Sequence, residues 1–267
     1  MFKEIFDNVR EKKPLIHSIT NYVTINDCAN IVLACGASPI MAESPEESAQ
    51  ITSLCDGLNL YMGMPTAQKT EAMLLSARAA SLKNIPTVLD PVGVGASPMR
   101  KNTAKLLIDG FDTAVIKGNA SEIKTLALGI GGKRGVDADF ENGENVTALA
   151  KAFAKKTRSA VVVTGAVDTV TDGERVYLIH NGCEMMSHIT GSGCMLSRLI
   201  SAFVSANPDN VLSSTAAAVC AMGLAGETAF ERMNDKDGKA SFRNYLIDAV
   251  FNMDGDTLEK GAKYEIE

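Results

Sequence analysis

The chain has no excess of positive charge: 26 Lys and Arg stand against 32 Asp and Glu in 267 residues, a net charge of −6. That excludes non-specific nucleic-acid binding, and no basic stripe with interleaved aromatics occurs. A nucleotide substrate is not excluded, because a small anion responds to the local field of a cleft. No apolar run approaches the ~20 residues of a membrane helix. The richest stretch, 216–225, is made of small residues and reads as a buried helix. The start, Met1-Phe2-Lys3-Glu4-Ile5-Phe6, is amphipathic and lacks the apolar core of a secretory leader. There is no C-x-x-C among the six cysteines, and in a long chain without a secretion signal their even count does not imply disulfides. Cys28, Cys35 and Cys220 lie among apolar neighbours and read as core thiols. The expected setting is the reduced cytoplasm.

Familiar catalytic signatures are also missing. There is no G-x-x-x-x-G-K-[ST]; the string Gly129-Ile130-Gly131-Gly132-Lys133 has the wrong spacing. There is no G-x-G-x-x-G: Leu196 stands where Gly191 and Gly193 would need a third glycine, and Pro98 where Gly93 and Gly95 would. There is no G-x-S-x-G elbow. His17, His180 and His188 are scattered, without zinc-type spacing, and read as structural hydrogen-bonders.

What is present is alternation of strands and helices. The stretch 14–21 reads as extended, and 57–63, 86–91, 113–119 and 160–165 read as strands, several of them running into polar ends. Helical periodicity fills 1–13, 22–35, 66–83, 98–108, 121–127 and 146–157. Further helices are expected at 195–206, 210–232 and 241–254. A short strand is expected at 39–42 and a helix start at 44–47, with Ser44 as cap and Pro45 in the first turn. Asp172-Gly173 between apolar segments predicts a hairpin. Residues 129–143 are rich in Gly and charge and read as a surface loop. This pattern implies an α/β fold, a mostly parallel sheet covered on both faces, in one domain spanning 1–267. The strands are continuous apolar runs rather than alternating ones, as burial on both faces requires.

In such sheets ligands bind beyond the carboxyl ends of the strands, where Asp90, Asn119, Thr164 and Gly165 fall. The centre of the pattern is Ile189-Thr190-Gly191-Ser192-Gly193-Cys194, just before a helix. Two glycines allow close backbone approach, and a helix start favours an anion such as phosphate. Asp90 and Glu122 could hold Mg²⁺ directly or through water. Lys117 could offset phosphate charge. Each has a plainer reading: Asn119-Ala120-Ser121-Glu122 has capping-box spacing, Asp90 is a turn acid before Pro91, and Lys117 is a solvated lysine. Together with the glycine stretch they describe a phosphoryl-transfer site.

The G-S-G-C segment, N-A-S-E after a strand and D-P-V-G-V-G loop resemble the ribokinase-like small-molecule kinases. Within them, PLIHSITNYVTIN (14–26), SPIMAESPEE (38–47), VIKGNASEI (115–123) and ITGSGCM (189–195) are similar to the hydroxyethylthiazole kinases of thiamine salvage, over about residues 10–230. The resemblance implies transfer of the γ-phosphate of ATP to the hydroxyl of 4-methyl-5-(2-hydroxyethyl)thiazole, with Mg²⁺. It also implies a homotrimer with the pocket near subunit boundaries. By motif, Met41, Gly191 and Cys194 match substrate-contacting positions, with Asn21 in the same lining. Lys117 and Thr164 match nucleotide-contacting positions, flanked by Asn119 and Gly165. Asp90 and Glu122 match acids associated with metal and phosphates. Gly191, Ser192, Gly193 and Cys194 form the catalytic stretch.

Two departures stand out. Cys194 occupies a position that is an aspartate base in most ribokinase-like enzymes, and it either takes the hydroxyl proton or lines the pocket. Lys117 stands where the resembled family usually has arginine, which keeps the charge and loses the fork. A kinase for hydroxymethylpyrimidine or a sugar is an alternative within the superfamily. An ATP-binding regulator or a lyase on the same scaffold is an alternative of another class. A pocket for a neutral ring is apolar and sulfur-rich, as Met41 and Cys194 suggest, whereas a sugar pocket needs several Asp and Asn.

Overall fold

The computed structural model describes residues 1–129 and 143–267. Nine strands form one sheet in the order β2-β1-β3-β4-β5-β6-β7-β8-β9. The first six are β1 (Leu15–Ile19), β2 (Ser38–Ile40), β3 (Gly57–Tyr61), β4 (Thr87–Asp90), β5 (Val115–Asn119) and β6 (Ala160–Thr164), all paired in parallel. The expected hairpin is present as β7 (Asp168–Thr171) and β8 (Val176–Ile179), antiparallel around Asp172-Gly173. A final strand, β9 (Tyr264–Ile266), pairs antiparallel with β8 and extends the sheet beyond what the pattern indicated.

Successive residues of the parallel strands point to opposite faces, and both faces are covered. Val88, Val115 and Val162 join one core with α1 (Phe2–Lys12), α2 (Ile25–Ala34), α8 (Ser192–Ala206), α9 (Val211–Glu231) and α10 (Lys239–Asn252). Their neighbours Leu89, Ile116, Val161 and Val163 pack against the helices of the other face, α4 (Ala67–Lys83), α5 (Pro98–Gly110), α6 (Ala120–Leu128) and α7 (Gly143–Thr157). Apolar residues are therefore favoured on both faces of the strands, and the buried polar residues among them, such as Asn59, Asp90 and Lys117, need partners.

Two sequence expectations need correction. Ser44 does not cap a helix: 45–47 form a turn, and α3 (Ser48–Thr52) starts four residues later with Glu47 at its N-cap. Its first turn is reached through Ser48 N–H donating to the Ser44 carbonyl at 2.9 Å. The helix α11 (Gly255–Gly261) carries no apolar periodicity long enough to announce it, and it is fixed by packing on α1. The loop expected at 129–143 lies, from 130 to 142, outside the described residues. Helix Pro208–Glu231 is long and apolar enough to cross a membrane by composition, but 78% of its most apolar window is buried in the core. The described cysteines are all free thiols.

Candidate active site

Helix α8 begins from a residue that must be glycine. Gly191 has φ +89°, in the left-handed region, and a Cβ there would lie 2.7 Å from Thr24 Cγ2. No side chain caps the helix, so its first N–H groups keep their binding capacity. A Cβ at Gly193 would lie 2.9 Å from Lys117 Nζ. The missing side chain thus admits an ammonium group to the positive end of α8. Both place positive potential at one point, which a single anion there would relieve.

Lys117 is held by Asp90. Pairing of Leu89 with Ile116 aligns β4 and β5, so the next residues are neighbours. Lys117 Nζ donates to Asp90 Oδ2 at 3.3 Å, with side-chain exposures of 6% and 0%. Lys117 is therefore a buried cation, not a solvated surface lysine. Asp90 Oδ1 is buried without a hydrogen-bond partner. Burial raises the Asp90 pKa above the ordinary carboxylate range, against the pull of Lys117 and Arg198.

Glu122 does two jobs. The capping box is formed: Asn119 Oδ1 accepts from Glu122 N–H, and Glu122 Oε2 accepts from Asn119 N–H, both at 2.9 Å. Glu122 Oε1 also accepts from Gly93 N–H at 2.9 Å, which ties the loop after β4 to α6. Each carboxylate oxygen already serves a backbone donor. Among the described residues no three His, Cys, Asp or Glu gather as a metal cage. A site with one orphaned carboxylate oxygen and a nearby engaged acid suits a cation that keeps most of its waters.

A second group surrounds the thiol of Cys194. Cys194, Cys28 and Tyr61 form a buried cluster with Met41 and Val92 packed on it. Burial pushes the Tyr61 phenol up, with Cys194 against its hydroxyl adding to the effect, and pushes the Cys28 thiol up as well. Cys28 is thus a core thiol that is also part of the site. Beneath it sits Arg198, 0% exposed. Its guanidinium donates to the Cys194 carbonyl (3.1 Å), Ser197 Oγ (2.9 Å) and Thr20 Oγ1 (2.6 Å), and lies 5.1 Å over the Tyr61 ring. It joins the ends of β1 and β3 to the first turn of α8. Asn21 acts locally: its Oδ1 accepts from the N–H groups of Val23 (2.7 Å) and Thr24 (3.0 Å), and its Nδ2 donates to Thr24 Oγ1 (2.9 Å). It fixes the turn that presses Thr24 against Gly191.

On the adjoining face of α8 opens a cavity of about 610 Å³, lined by Thr164, Gly165 and Asp168 on one wall and Ser192, Gly193 and Leu196 on another. Val219 and Met222 of α9 add apolar lining, and His180, Asn181 and Glu184 add polar lining. Thr164 and Gly165 therefore line the cavity as their motif suggested. Asn119 does not; its side chain is committed to the α6 cap. Met41 and Cys194 stand together outside the cavity, so the helix start separates two half-sites. Of the three histidines, His17 is a buried hydrogen-bonder between Thr52 Oγ1 and the Ala42 carbonyl, both at 2.8 Å.

Sequence reasoning missed Arg198 and Asp168. Arg198 was legible as one charge inside an otherwise apolar face of a helix, a position that demands partners. Asp168 had no signal beyond its closeness to Gly165.

A profile of the hydroxyethylthiazole kinase family matches residues 6–256. The hydroxyethylthiazole kinase of Clostridium acetobutylicum is 51% identical over 271 residues, covering 99% of each chain. The solved hydroxyethylthiazole kinase structure from Pyrococcus horikoshii OT3 superposes with a TM-score of 0.89 at 32% identity, over 100% of this chain and 98% of that one. A ribokinase-like superfamily protein of Enterococcus faecalis V583 matches in fold alone, with a TM-score of 0.62 at 13% identity over 92% of this chain and 88% of that one. With its sheet order, its glycine-started helix and these full-length matches, the chain belongs to the hydroxyethylthiazole kinase family.

Proposed function

We propose that this protein transfers the γ-phosphoryl group of ATP to the side-chain hydroxyl of 4-methyl-5-(2-hydroxyethyl)thiazole, a step of thiamine salvage. The observation that carries the reading is the meeting of the uncapped α8 start with the Lys117 ammonium at Gly193. Such a point stabilises the charge that spreads over a transferring phosphoryl group.

In this reading ATP occupies the 610 Å³ cavity, with its phosphates at Ser192 and Gly193 and the nucleoside part running past Thr164 and Gly165. Lys117 and the α8 N–H groups bind the transferred group, and Asn119 keeps the β5–α6 corner in shape beside them. The thiazole lies on Met41 and Cys194, in the space bordered by Gly191 and the turn that Asn21 fixes. The acceptor oxygen forms the new P–O bond, the bond to the leaving ADP oxygen breaks, and the hydroxyl proton passes to Cys194. Mg²⁺, when bound, would sit at Asp90 and the phosphates and neutralise charge there, with Glu122 acting through water. The orphaned Asp90 Oδ1 supports that placement. The whole chain acts as one kinase domain, works in the cytoplasm and assembles as a homotrimer that completes the acceptor side.

The test is Mg²⁺-dependent ADP release with hydroxyethylthiazole, set beside hydroxymethylpyrimidine and ribose. Stimulation by the thiazole alone supports the reading. ATP binding without stimulation by any of the three overturns the activity and keeps the fold.

A further inference from the structure

Asp168, His180, Cys183 and Glu184 all line the cavity without a part in the proposed reaction; His180 and Glu184 are exposed, and Asp168 is the one set beside Gly165. Asp168 opens β7 and lines the wall beside Gly165. Its Oδ1 accepts from Gly165 N–H at 2.9 Å, and no basic side chain among the described residues pairs with it. Burial pushes its carboxyl up to about 6, with the Gly165 N–H and the more distant Lys117 charge working the other way. At neutral pH it is therefore an anion, and its second oxygen has no hydrogen-bond partner among the described residues.

An unpaired carboxylate inside a site for a polyanion needs an explanation. Next to the phosphates it would repel them. Opposite a neutral donor it contributes a charge-assisted hydrogen bond. A nucleoside triphosphate offers two kinds of neutral donor, the ribose hydroxyls and the amino group of the base. Gly193 and Lys117 mark where the phosphates go. Val219 and Met222 supply apolar lining suited to the flat face of a base. A Cβ at Gly223 would lie 2.6 Å from the Asn181 backbone, which brings α9 against the segment after β8. Asp168 lines the cavity with Thr164 and Gly165.

We infer that Asp168 is the sugar-recognising residue of the nucleotide site, accepting a hydrogen bond from a ribose hydroxyl of ATP through the carboxylate oxygen that Gly165 leaves free. This rests on the reading of the cavity as the ATP site. It makes the kinase selective for ribonucleotides over deoxyribonucleotides by a charge–dipole contact, without a basic partner for the acid.

The experiment compares ATP, 2′-deoxy-ATP, 3′-deoxy-ATP and inosine triphosphate on wild type and Asp168→Asn, by steady-state kcat/KM and by direct binding without acceptor. Asparagine keeps an oxygen for Gly165 N–H but turns the other position into a donor. Wild type is expected to favour ATP over one deoxy analogue by about tenfold, the size of one lost charged hydrogen bond. Asp168→Asn is expected to lose about that factor for ATP and little for the same analogue. A wild type indifferent to both deoxy analogues overturns the inference. So does an equal loss with all nucleotides, which marks a role in holding the 165–168 turn alone, or a change confined to the ratio of ATP to inosine triphosphate. Met222→Trp, which fills the base slot, is the separate check on the cavity: ATP binding is expected to fall at least tenfold, and unchanged binding overturns the ATP-site reading whatever the sugar ratios.

Discussion

Asp90 Oδ2 and Lys117 Nζ lie 3.3 Å apart on neighbouring strands, and the second oxygen of Asp90 is buried with no partner. The pair is unfinished: one oxygen aims the ammonium at the α8 start, and the other waits for a cation or a water. Burial, helped by the Glu122 charge, raises the Asp90 pKa, and Lys117 and Arg198 pull the other way.

Lys117→Met is expected to destabilise the fold as well as weaken ATP binding. Removing one partner of a buried pair leaves an uncompensated charge, at about 3–5 kcal/mol. Lys117→Met combined with Asp90→Asn removes both charges and should recover most of that stability without recovering activity. Urea unfolding of the three variants separates the effects. A single mutant as stable as wild type would show that Asp90 finds another partner.

Gly191→Ala tests the helix start. The left-handed φ costs an alanine about 1–2 kcal/mol, and its Cβ also meets Thr24 Cγ2 at 2.7 Å. Thr24→Ser removes that methyl. The double variant should regain the clash component and keep the backbone component, so its melting temperature falls between Gly191→Ala and wild type. Equal stability of the single and double variants would mean that Thr24 moves aside.

Much of this arrangement was readable from the sequence. The strands within 14–21, 57–63 and 160–165 announced themselves as mostly apolar stretches, the last as an unbroken run. The capping box of Asn119 and Glu122 was visible in its spacing, and the phosphate end in Gly191 and Gly193. What was not visible depended on contacts far apart in the chain. Glu122 reaches Gly93 only because two loops converge, and Lys117 is buried only because α8 closes over it. Strand β9 has three residues and exists because β8 offers an edge. Arg198 gave a local warning, but its partner Thr20 is 178 residues away.

Arg198 should matter to turnover as well as to stability. Neutral exchange for apolar groups holds for a whole buried pair, not for one charge whose partners stay behind, and Arg198 is one of the cations that pull the Asp90 pKa down. Arg198→Met is therefore expected to lower the melting temperature, and Arg198→Ala, which also leaves a cavity, to cost about 2–4 kcal/mol more. Arg198→Met should lower kcat with the thiazole at least tenfold while the KM for ATP stays within about threefold, because the guanidinium ties Thr20 to the Cys194 turn rather than to the cavity. Loss of ATP affinity in step with kcat would place its effect on the nucleotide side.

Cys194→Ala separates proton transfer from pocket lining. Removal of a general base typically costs 10²–10⁴-fold, and a loose phosphoryl transfer sits at the lower end of that range. The expected result is a kcat about 10²-fold lower with ATP binding intact, and a flatter pH profile. A variant with near-native turnover at every pH would leave Cys194 only the role of a wall of the thiazole pocket.

Asp168 gives a pH signature with a definite sign. Its carboxyl is pushed up to about 6 in the folded chain, while an exposed aspartate in the unfolded chain titrates near ~3.9. Between those values the folded state holds the extra proton. Stability from this group is therefore fully present below about 4 and is lost as the pH rises through about 6. Asp168→Asn has no such group to ionise. Measured by urea unfolding without nucleotide, the variant should gain on wild type between pH 4 and pH 7, by something on the order of 2–3 kcal/mol. A gap that stays constant across the window would mean that the acid ionises as freely in the fold as in the open chain. Adding ATP at pH 7.5 should narrow the gap, because a ribose hydroxyl on the carboxylate offsets the burial that penalises its charge. The deoxy-ATP lacking that hydroxyl should narrow it less.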